Sequence, residues 1–171
     1  MTGAALRRAI VIAAAAALAA AALLMPGPHR LVVRDGSGRI AASFPLRGED
    51  AGFSLAWVHS VMLVPCVEYF RRGDNGTVEL YRTKYKGLGA GLPYGDEGGV
   101  VTLEDGWIVI DGMRRTFPSI TLLTSPVAPH TLGIAGRVYP VAGLLGSGHT
   151  AMFTIEKVPL GTRALAAAGI P

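Results

Sequence analysis

The sequence predicts an all-β fold, an antiparallel sandwich or a partly open barrel, preceded by an N-terminal helix. Short runs of alternating apolar and polar residues follow one another at even spacing from position 31 onward. They are separated by turn sequences that tolerate positive φ, such as Asp35-Gly36-Ser37-Gly38 and Gly73-Asp74-Asn75-Gly76, which are typical of hairpins. No run of helical periodicity interrupts the pattern after the N-terminal segment, as expected of sandwiches and barrels.

The individual strands follow from this alternation and from the turns between them. The sequences Glu104-Asp105-Gly106 and Asp111-Gly112 predict tight reversals, because both offer residues that accept a left-handed conformation. An alanine-rich tail, 163–168, is interpreted as a frayed end, since it is too short for more than one or two helical turns. The predicted strands, in chain order, are 31–34, 39–46, 53–61, 67–72, 77–85, 100–103, 107–110, 114–117, 120–124, 131–134, 137–141 and 151–157.

The first 25 residues predict export or membrane anchoring. Arg7 and Arg8 precede seventeen uncharged residues, Ala9 to Met25, which end at a Pro26-Gly27-Pro28 break. A basic region followed by an apolar one is the layout of a secretory signal peptide. An uncleaved anchor is the alternative, because seventeen residues reach the lower limit for spanning a bilayer. In either case the rest of the chain is expected outside the cytoplasm, in the periplasm or on the outer face of the inner membrane.

Residues 26–171 are expected to form one β domain, since no linker or internal repeat divides them. The chain has 16 basic and 12 acidic residues, and leaving out Arg7 and Arg8 gives 14 against 12. So small an excess, with no basic stripe, argues against a nucleic-acid partner and limits membrane contact to the N-terminal segment. The single cysteine, Cys66, excludes an internal disulfide. Packing alone must therefore stabilise the domain.

The stretch HSVMLVPCVEYF, positions 59–70, contains a histidine, a serine, a cysteine and a glutamate, the side chains best suited to catalysis or binding. If strand 53–61 alternates faces, His59 points inward and Ser60 outward. A four-residue loop, Met62 to Pro65, would then place His59 directly opposite Glu68 on the next strand. Such a pair either orients the imidazole for binding or proton transfer, or closes one end of the core as a buried ion pair. Cys66 would share this face.

A glycine-rich stretch, GLGAGLPYG at positions 87–95, follows the strand that ends at Tyr85. Neither a helix pattern nor a lysine follows it, as a phosphate-binding loop would require. Leu92 and Pro93 instead suggest a loop folded over the inner face, with glycines for close approach. No catalytic residue, metal site or cofactor is predicted. The proposed binding residues are His59, Glu68, Tyr81, Thr83, Tyr85, Gly89, Gly91, Leu92 and Pro93.

Two motifs carry a resemblance to a known family. One is His59-Ser60-Val61 followed by Pro65 and Glu68, and the other is Thr83-Lys84-Tyr85 followed by Gly89 to Pro93. In this order they resemble an uncharacterised family of small bacterial exported proteins that is often encoded beside TRAP transporters of the TAXI type. The resemblance implies a partner among the components of such a transporter or its organic solute. It implies no catalytic activity.

Two functions from different classes remain open at the level of sequence. The first is a non-enzymatic extracytoplasmic accessory or binding protein, a module that supports TRAP-type solute uptake. The second is a hydrolase or thiol enzyme that uses His59, Glu68 and Cys66. Ser60 faces away from His59, and no nucleophile turn is visible, so the binding module is favoured.

Overall fold

In this computed structural model, the described residues are 3–24, 27–48, 51–87 and 98–157. They belong to two compact units: one contains the N-terminal helix, and the other runs from Arg30 to Glu156. Of the expectations above, the alanine-rich tail and the loop residues Gly89, Gly91, Leu92 and Pro93 lie outside the described residues.

Helix α1 spans Gly3–Leu24 and covers most of the predicted N-terminal segment. Alanine has the highest intrinsic helix propensity, so a run this rich in alanine favours a helix. The segment after it contains Pro26 and Pro28, which cannot continue a helix. Within the described part of the chain, no helix is both long enough and apolar enough to cross a membrane.

The β unit is built almost entirely from antiparallel strands. Among the described residues these are β1 (His29–Arg34), β2 (Ile40–Pro45), β3 (Gly52–Val58), β4 (Pro65–Arg72), β5 (Val78–Tyr85), β6 (Val100–Glu104), β7 (Trp107–Phe117), β8 (Ile120–Leu123), β9 (Thr131–Ile134), β10 (Arg137–Pro140) and β11 (Thr150–Lys157), with a five-residue helix α2 (Val141–Leu145) between the last two.

The strands form two sheets in a sandwich-like arrangement, which confirms the predicted fold class; the described strands do not close into a barrel. The small sheet has the order β2-β1-β11-β8, and the large one has the order β10-β9-β3-β4-β5-β7-β6. Both hairpins predicted from turn sequences are present, as β1–β2 and β4–β5. The Glu104-Asp105-Gly106 reversal is confirmed too, because Asp105 and Gly106 both have positive φ between β6 and β7.

One predicted reversal is wrong. Asp111-Gly112 does not turn the chain: β7 continues through it as a single strand of 11 residues, Trp107–Phe117. Leu80 pairs with Arg115 and Arg82 with Asp111, so the register with β5 shifts at this point. Gly112 has a φ of 77°. An Asp-Gly pair serves a bulge as well as a hairpin turn, and the pairing of β7 with β5 on both sides decides for the bulge.

The core lies between the two sheets and is held by stacked aromatic rings. The ring of Phe53 in β3 is 5.0 Å from that of Phe70 in β4 and 6.2 Å from that of Phe153 in β11, measured between centroids. Phe153 belongs to the small sheet and the other two belong to the large one. All three rings are buried, so this stack joins the two layers through the hydrophobic effect and ring contact.

Replacing Phe53 by alanine removes the middle ring of this stack. We expect the free energy of unfolding to fall by about 3–5 kcal/mol, the usual cost of a buried Phe→Ala cavity. Urea unfolding followed by the fluorescence of the two tryptophans, both in the β unit, measures it. Val138→Ala is the control, because Val138 is exposed and its truncation should cost less than about 0.5 kcal/mol. Similar losses in both variants would contradict the assigned core.

Candidate functional site

The β3–β4 connection differs from the predicted one. β3 ends at Val58, which pairs with Pro65, so the connection has six residues, 59–64. Leu55, not His59, lies opposite Glu68. The predicted cross-strand pair of His59 and Glu68 is therefore wrong. The prediction assumed that β3 and β4 stay paired up to a four-residue loop. In the structure the connection is wider, and hydrogen bonds within it close the turn.

His59 organises this turn. Its backbone N–H donates to the carbonyl of Val64 at 2.9 Å, and its carbonyl accepts from the N–H of Leu63 at 2.8 Å. Its imidazole Nδ1 accepts the backbone N–H groups of Val61 and Met62 at 3.3 and 3.2 Å. The imidazole is thus engaged in ordering the loop rather than in contacting a carboxylate. This is the role that the structure gives to the first residue of the HSV motif.

The inner face of the large sheet contains three of the proposed binding residues, Glu68, Thr83 and Tyr85, together with Cys66. Glu68 pairs with Thr83, and Cys66 with Tyr85. The register differs from the predicted one by four residues between β3 and β4 and, from Cys66 to Tyr69, by two between β4 and β5; from Phe70 to Arg72 the difference is one. Because the side-chain period is two, the even shifts leave Cys66, Glu68, Thr83 and Tyr85 on their predicted face. Thr83, Tyr85 and Cys66 are all buried.

The chemistry of this inner face does not favour catalysis by the thiol. Burial raises the pKa of Cys66, and the neighbouring Glu68 carboxylate raises it further, so the thiol remains protonated and unreactive. Burial also raises the pKa of Glu68, although Arg115 opposes that shift. The Thr83 hydroxyl donates to the carbonyl of Val67 at 3.4 Å. Cys66 therefore behaves as a small apolar residue of the core.

Tyr81 does not share the inner face. A bulge in β5 leaves Tyr81 as the extra residue, since Tyr69 pairs with Arg82 and Phe70 with Leu80. Tyr81 consequently lies on the outer face, where its ring is 6.4 Å from that of Tyr69. Its predicted inward position is wrong because an alternation count cannot anticipate a bulge.

The outer face presents aromatic rings with cations above them. The Arg71 guanidinium is 5.1 Å from the Tyr81 ring centroid, and Arg82 and Lys84 are each 5.8 Å from that of Tyr69. Such contacts each stabilise by about 0.5–1 kcal/mol at exposed sites. They also hold the two tyrosine rings in defined positions on the sheet.

Carboxylates neutralise the two arginines of this face. Arg71 forms an ion pair with Glu79 at 2.7 Å. Arg82 pairs with Glu104 at 3.2 Å and with Asp111 at 3.7 Å. These partly exposed pairs contribute little to stability, but they reduce the positive charge available to a ligand.

A groove of about 440 Å³ crosses the outer face from β4 to β10. Glycines keep its floor low: a Cβ on Gly133 would lie 2.5 Å from the Ser54 hydroxyl oxygen. Tyr69 and Tyr81 line one side and Arg137 the other. Its lining residues are Gly52, Phe53, Ser54, Tyr69, Tyr81, Gly133, Ile134, Ala135, Gly136, Arg137 and Val138.

The groove combines tyrosine rings and small residues with one cation. Its volume lies in the range of small-molecule sites. Arg137 is exposed, and no ion pair found among the described residues includes it. A guanidinium can form paired hydrogen bonds with a carboxylate, while tyrosine rings contact an apolar body. The described residues contain no cluster of His, Cys, Asp and Glu suited to a metal ion.

Comparison with known proteins agrees with the sequence motifs at the level of the family. The sequence profile of a family described as a domain of unknown function (DUF1850) matches residues 53–141, just over half of the chain. The chain belongs to this family. The DUF1850 segment contains nearly all of the large sheet, whereas β1, β2 and β11 of the small sheet lie outside it. No curated protein and no solved structure matches the chain.

The sequence did not indicate the groove on the DUF1850 domain. Its tyrosines come from two strands that meet on one face only because of the β5 bulge. Its floor depends on Gly133, and a glycine inside a short strand ordinarily indicates only that the strand is weakened. The one signal in the sequence that could have indicated the groove is Gly133 within β9, since glycine in a strand often marks a site where a ligand or another backbone approaches closely.

The raised pKa of Glu68 predicts a pH dependence of stability. The folded state holds this proton more tightly than the unfolded chain, so stability falls as pH rises from about 4.5, the ordinary value of a glutamate, through the raised folded value. A tenfold difference in proton affinity between the two states is equivalent to about 1.4 kcal/mol. We expect Glu68→Gln to remove this decline and to be more stable than the wild type at neutral pH.

Urea unfolding across the pH range tests this expectation. Glu104→Gln is the matched control, because Glu104 is exposed and its replacement removes a carboxylate from the surface rather than from the core. If Glu68→Gln is less stable than the wild type at neutral pH and equally stable at pH 4, the ionised carboxylate stabilises the fold and the expectation is contradicted.

Proposed function

We propose that this DUF1850 protein is a non-enzymatic extracytoplasmic binding protein, and that its ligand is a small organic anion bound in the outer-face groove. The observation that carries the proposal is the groove itself, lined by two tyrosine rings and by Arg137, which no ion pair found among the described residues includes. Tyr69 and Tyr81 supply rigid apolar contact, and Arg137 supplies a bidentate site for a carboxylate. Because Arg137 is the one cation among the described residues that line the groove, it favours a ligand with one anionic group.

The ligand class follows from the charges around the groove. Arg71 and Arg82 are already paired with Glu79, Glu104 and Asp111, so they add rigidity rather than free charge. A ligand with many negative charges would meet those carboxylates at close range. A carboxylate with an apolar body a few carbons long suits this balance and the volume of about 440 Å³.

The thiol-enzyme alternative has less support. Cys66 is only 2 % exposed, and the pKa of its thiol is raised. His59 directs Nδ1 toward two backbone N–H groups in the β3–β4 turn. A thiol enzyme needs an accessible thiolate beside a base, and the burial of Cys66 and the bonding of His59 give that alternative less support than the binding protein.

The cellular setting belongs to the same proposal. The basic and apolar order of the first 25 residues supports export or anchoring, and the resemblance to proteins encoded beside TAXI-type TRAP transporters supports a role in organic solute uptake. A solute site for a carboxylate agrees with that setting. The transporter components, or their solute, are the proposed partners.

Titration calorimetry of the full chain with a panel of short aliphatic carboxylates tests the proposal. We expect saturable binding that Arg137→Gln weakens roughly tenfold or more, because a charge-assisted hydrogen bond contributes about 1.5–3 kcal/mol. Tyr81→Ala should weaken it as well. Arg39→Gln is the matched control, since Arg39 lies in the β1–β2 turn and pairs with Asp35.

Binding that is unchanged by both Arg137→Gln and Tyr81→Ala would exclude the groove. Binding that Cys66→Ser abolishes, in a protein that still folds, would favour the thiol enzyme instead.

A further inference from the structure

The turn between β3 and β4 exposes three consecutive apolar residues. Val61 is 79 % exposed, Met62 39 % and Leu63 75 %. Single exposed apolar residues are common on protein surfaces, but three in succession at the end of a turn form a continuous apolar tip. We use the term apolar tip for Val61, Met62 and Leu63.

The backbone of the apolar tip is fixed by hydrogen bonds within the turn. Leu63 has a φ of 53°, an unfavourable conformation for a leucine that persists only where surrounding contacts impose it. Those contacts come from His59, whose carbonyl accepts the N–H of Leu63 and whose Nδ1 accepts the N–H groups of Val61 and Met62. The strain and the three hydrogen bonds together present the apolar side chains outward.

Basic and aromatic residues lie beside the base of the tip. The backbone N–H of Lys86 donates to the carbonyl of Pro65, the first residue of β4, at 3.1 Å. The Nζ atoms of Lys86 and Lys84 are 5.2 and 4.8 Å from the ring centroid of Trp107. Apolar tips next to Lys and Trp are the arrangement by which proteins contact the interface of a bilayer, where lysine meets anionic headgroups.

Among the described residues, no ion pair includes Lys84 or Lys86. The nearby carboxylates of Glu104 and Asp111 instead share Arg82, at 3.2 and 3.7 Å, and Asp105 in the β6–β7 turn is exposed. The two ammonium groups therefore lie over Trp107 without a described carboxylate at ion-pair distance, so both can contact an anionic headgroup.

We propose that the apolar tip inserts into the surface of a bilayer that contains anionic lipids, so that the β unit itself contacts the membrane. This goes beyond the solute site of the proposed function and beyond a contact made by the N-terminal segment alone. Val61 and Leu63 enter the headgroup region, Lys84 and Lys86 contact anionic headgroups, and His59 is the positioning residue that holds the turn. The occupant is lipid, since the two lysines beside Trp107 complement a headgroup layer.

A fluorophore at the tip reports insertion separately from tethering by α1. The full chain with Cys66→Ala and Leu63→Cys is labelled with a polarity-sensitive dye and mixed with vesicles of phosphatidylcholine and phosphatidylglycerol. We expect a blue shift and a rise in emission at position 63. The control is Asp74→Cys in the same background, because Asp74 is exposed in the turn at the opposite end of β4; its emission should not change.

Two further arms test the parts of the proposal. Vesicles of phosphatidylcholine alone should give a smaller shift, and His59→Asn, which keeps an acceptor for the turn, should retain more of the shift than His59→Ala. An aqueous emission at position 63 in vesicle-bound protein overturns the proposal. So does a shift that is equal on both lipid compositions, or one that requires a purified transporter component, which would mark a protein partner.

Discussion

The register of β4 between β3 and β5 determines which side chains each face of the large sheet receives. β4 pairs Trp57 with Cys66 on one side, and the bulge at Tyr81 shifts its pairing on the other. Because alternate residues face opposite ways, this register directs Glu68 inward and Tyr69 outward. The core, the groove and the apolar tip all depend on this register, since each of them includes or adjoins residues of β3, β4 or β5.

The two faces consequently have different properties. On the inner face, the register places the Glu68 carboxyl and the Cys66 thiol among buried apolar residues. Burial there suppresses their ionisation and hence their reactivity. Outward, it brings together two tyrosines and a row of cations next to an open floor around Gly133. The outer face is therefore the one on which we propose that a ligand binds. The charged and nucleophilic residues that attract attention in the sequence belong mainly to the core and to a turn.

The sequence was sufficient for the fold class, because alternation and turn residues depend on local chemistry. It also predicted the correct face for Glu68, Thr83 and Tyr85, since register errors of even size do not change the face. It failed at His59, where the turn is closed by its own hydrogen bonds, and at Tyr81, where pairing with β7 imposes a bulge. Such features depend on contacts between strands, which a one-dimensional pattern does not contain.

Cross-strand disulfide trapping tests the β3–β4 register most directly. In a Cys66→Ala background, cysteines at Ala56 and Val67 lie on directly paired residues, within the Cα separation that a disulfide requires. We expect this pair to cross-link under mild oxidation and to leave the protein folded, whereas cysteines at Ala56 and Arg71, the partners in a register four residues away, should not cross-link. Efficient cross-linking of Ala56 with Arg71, and none with Val67, would contradict the register and the groove that depends on it.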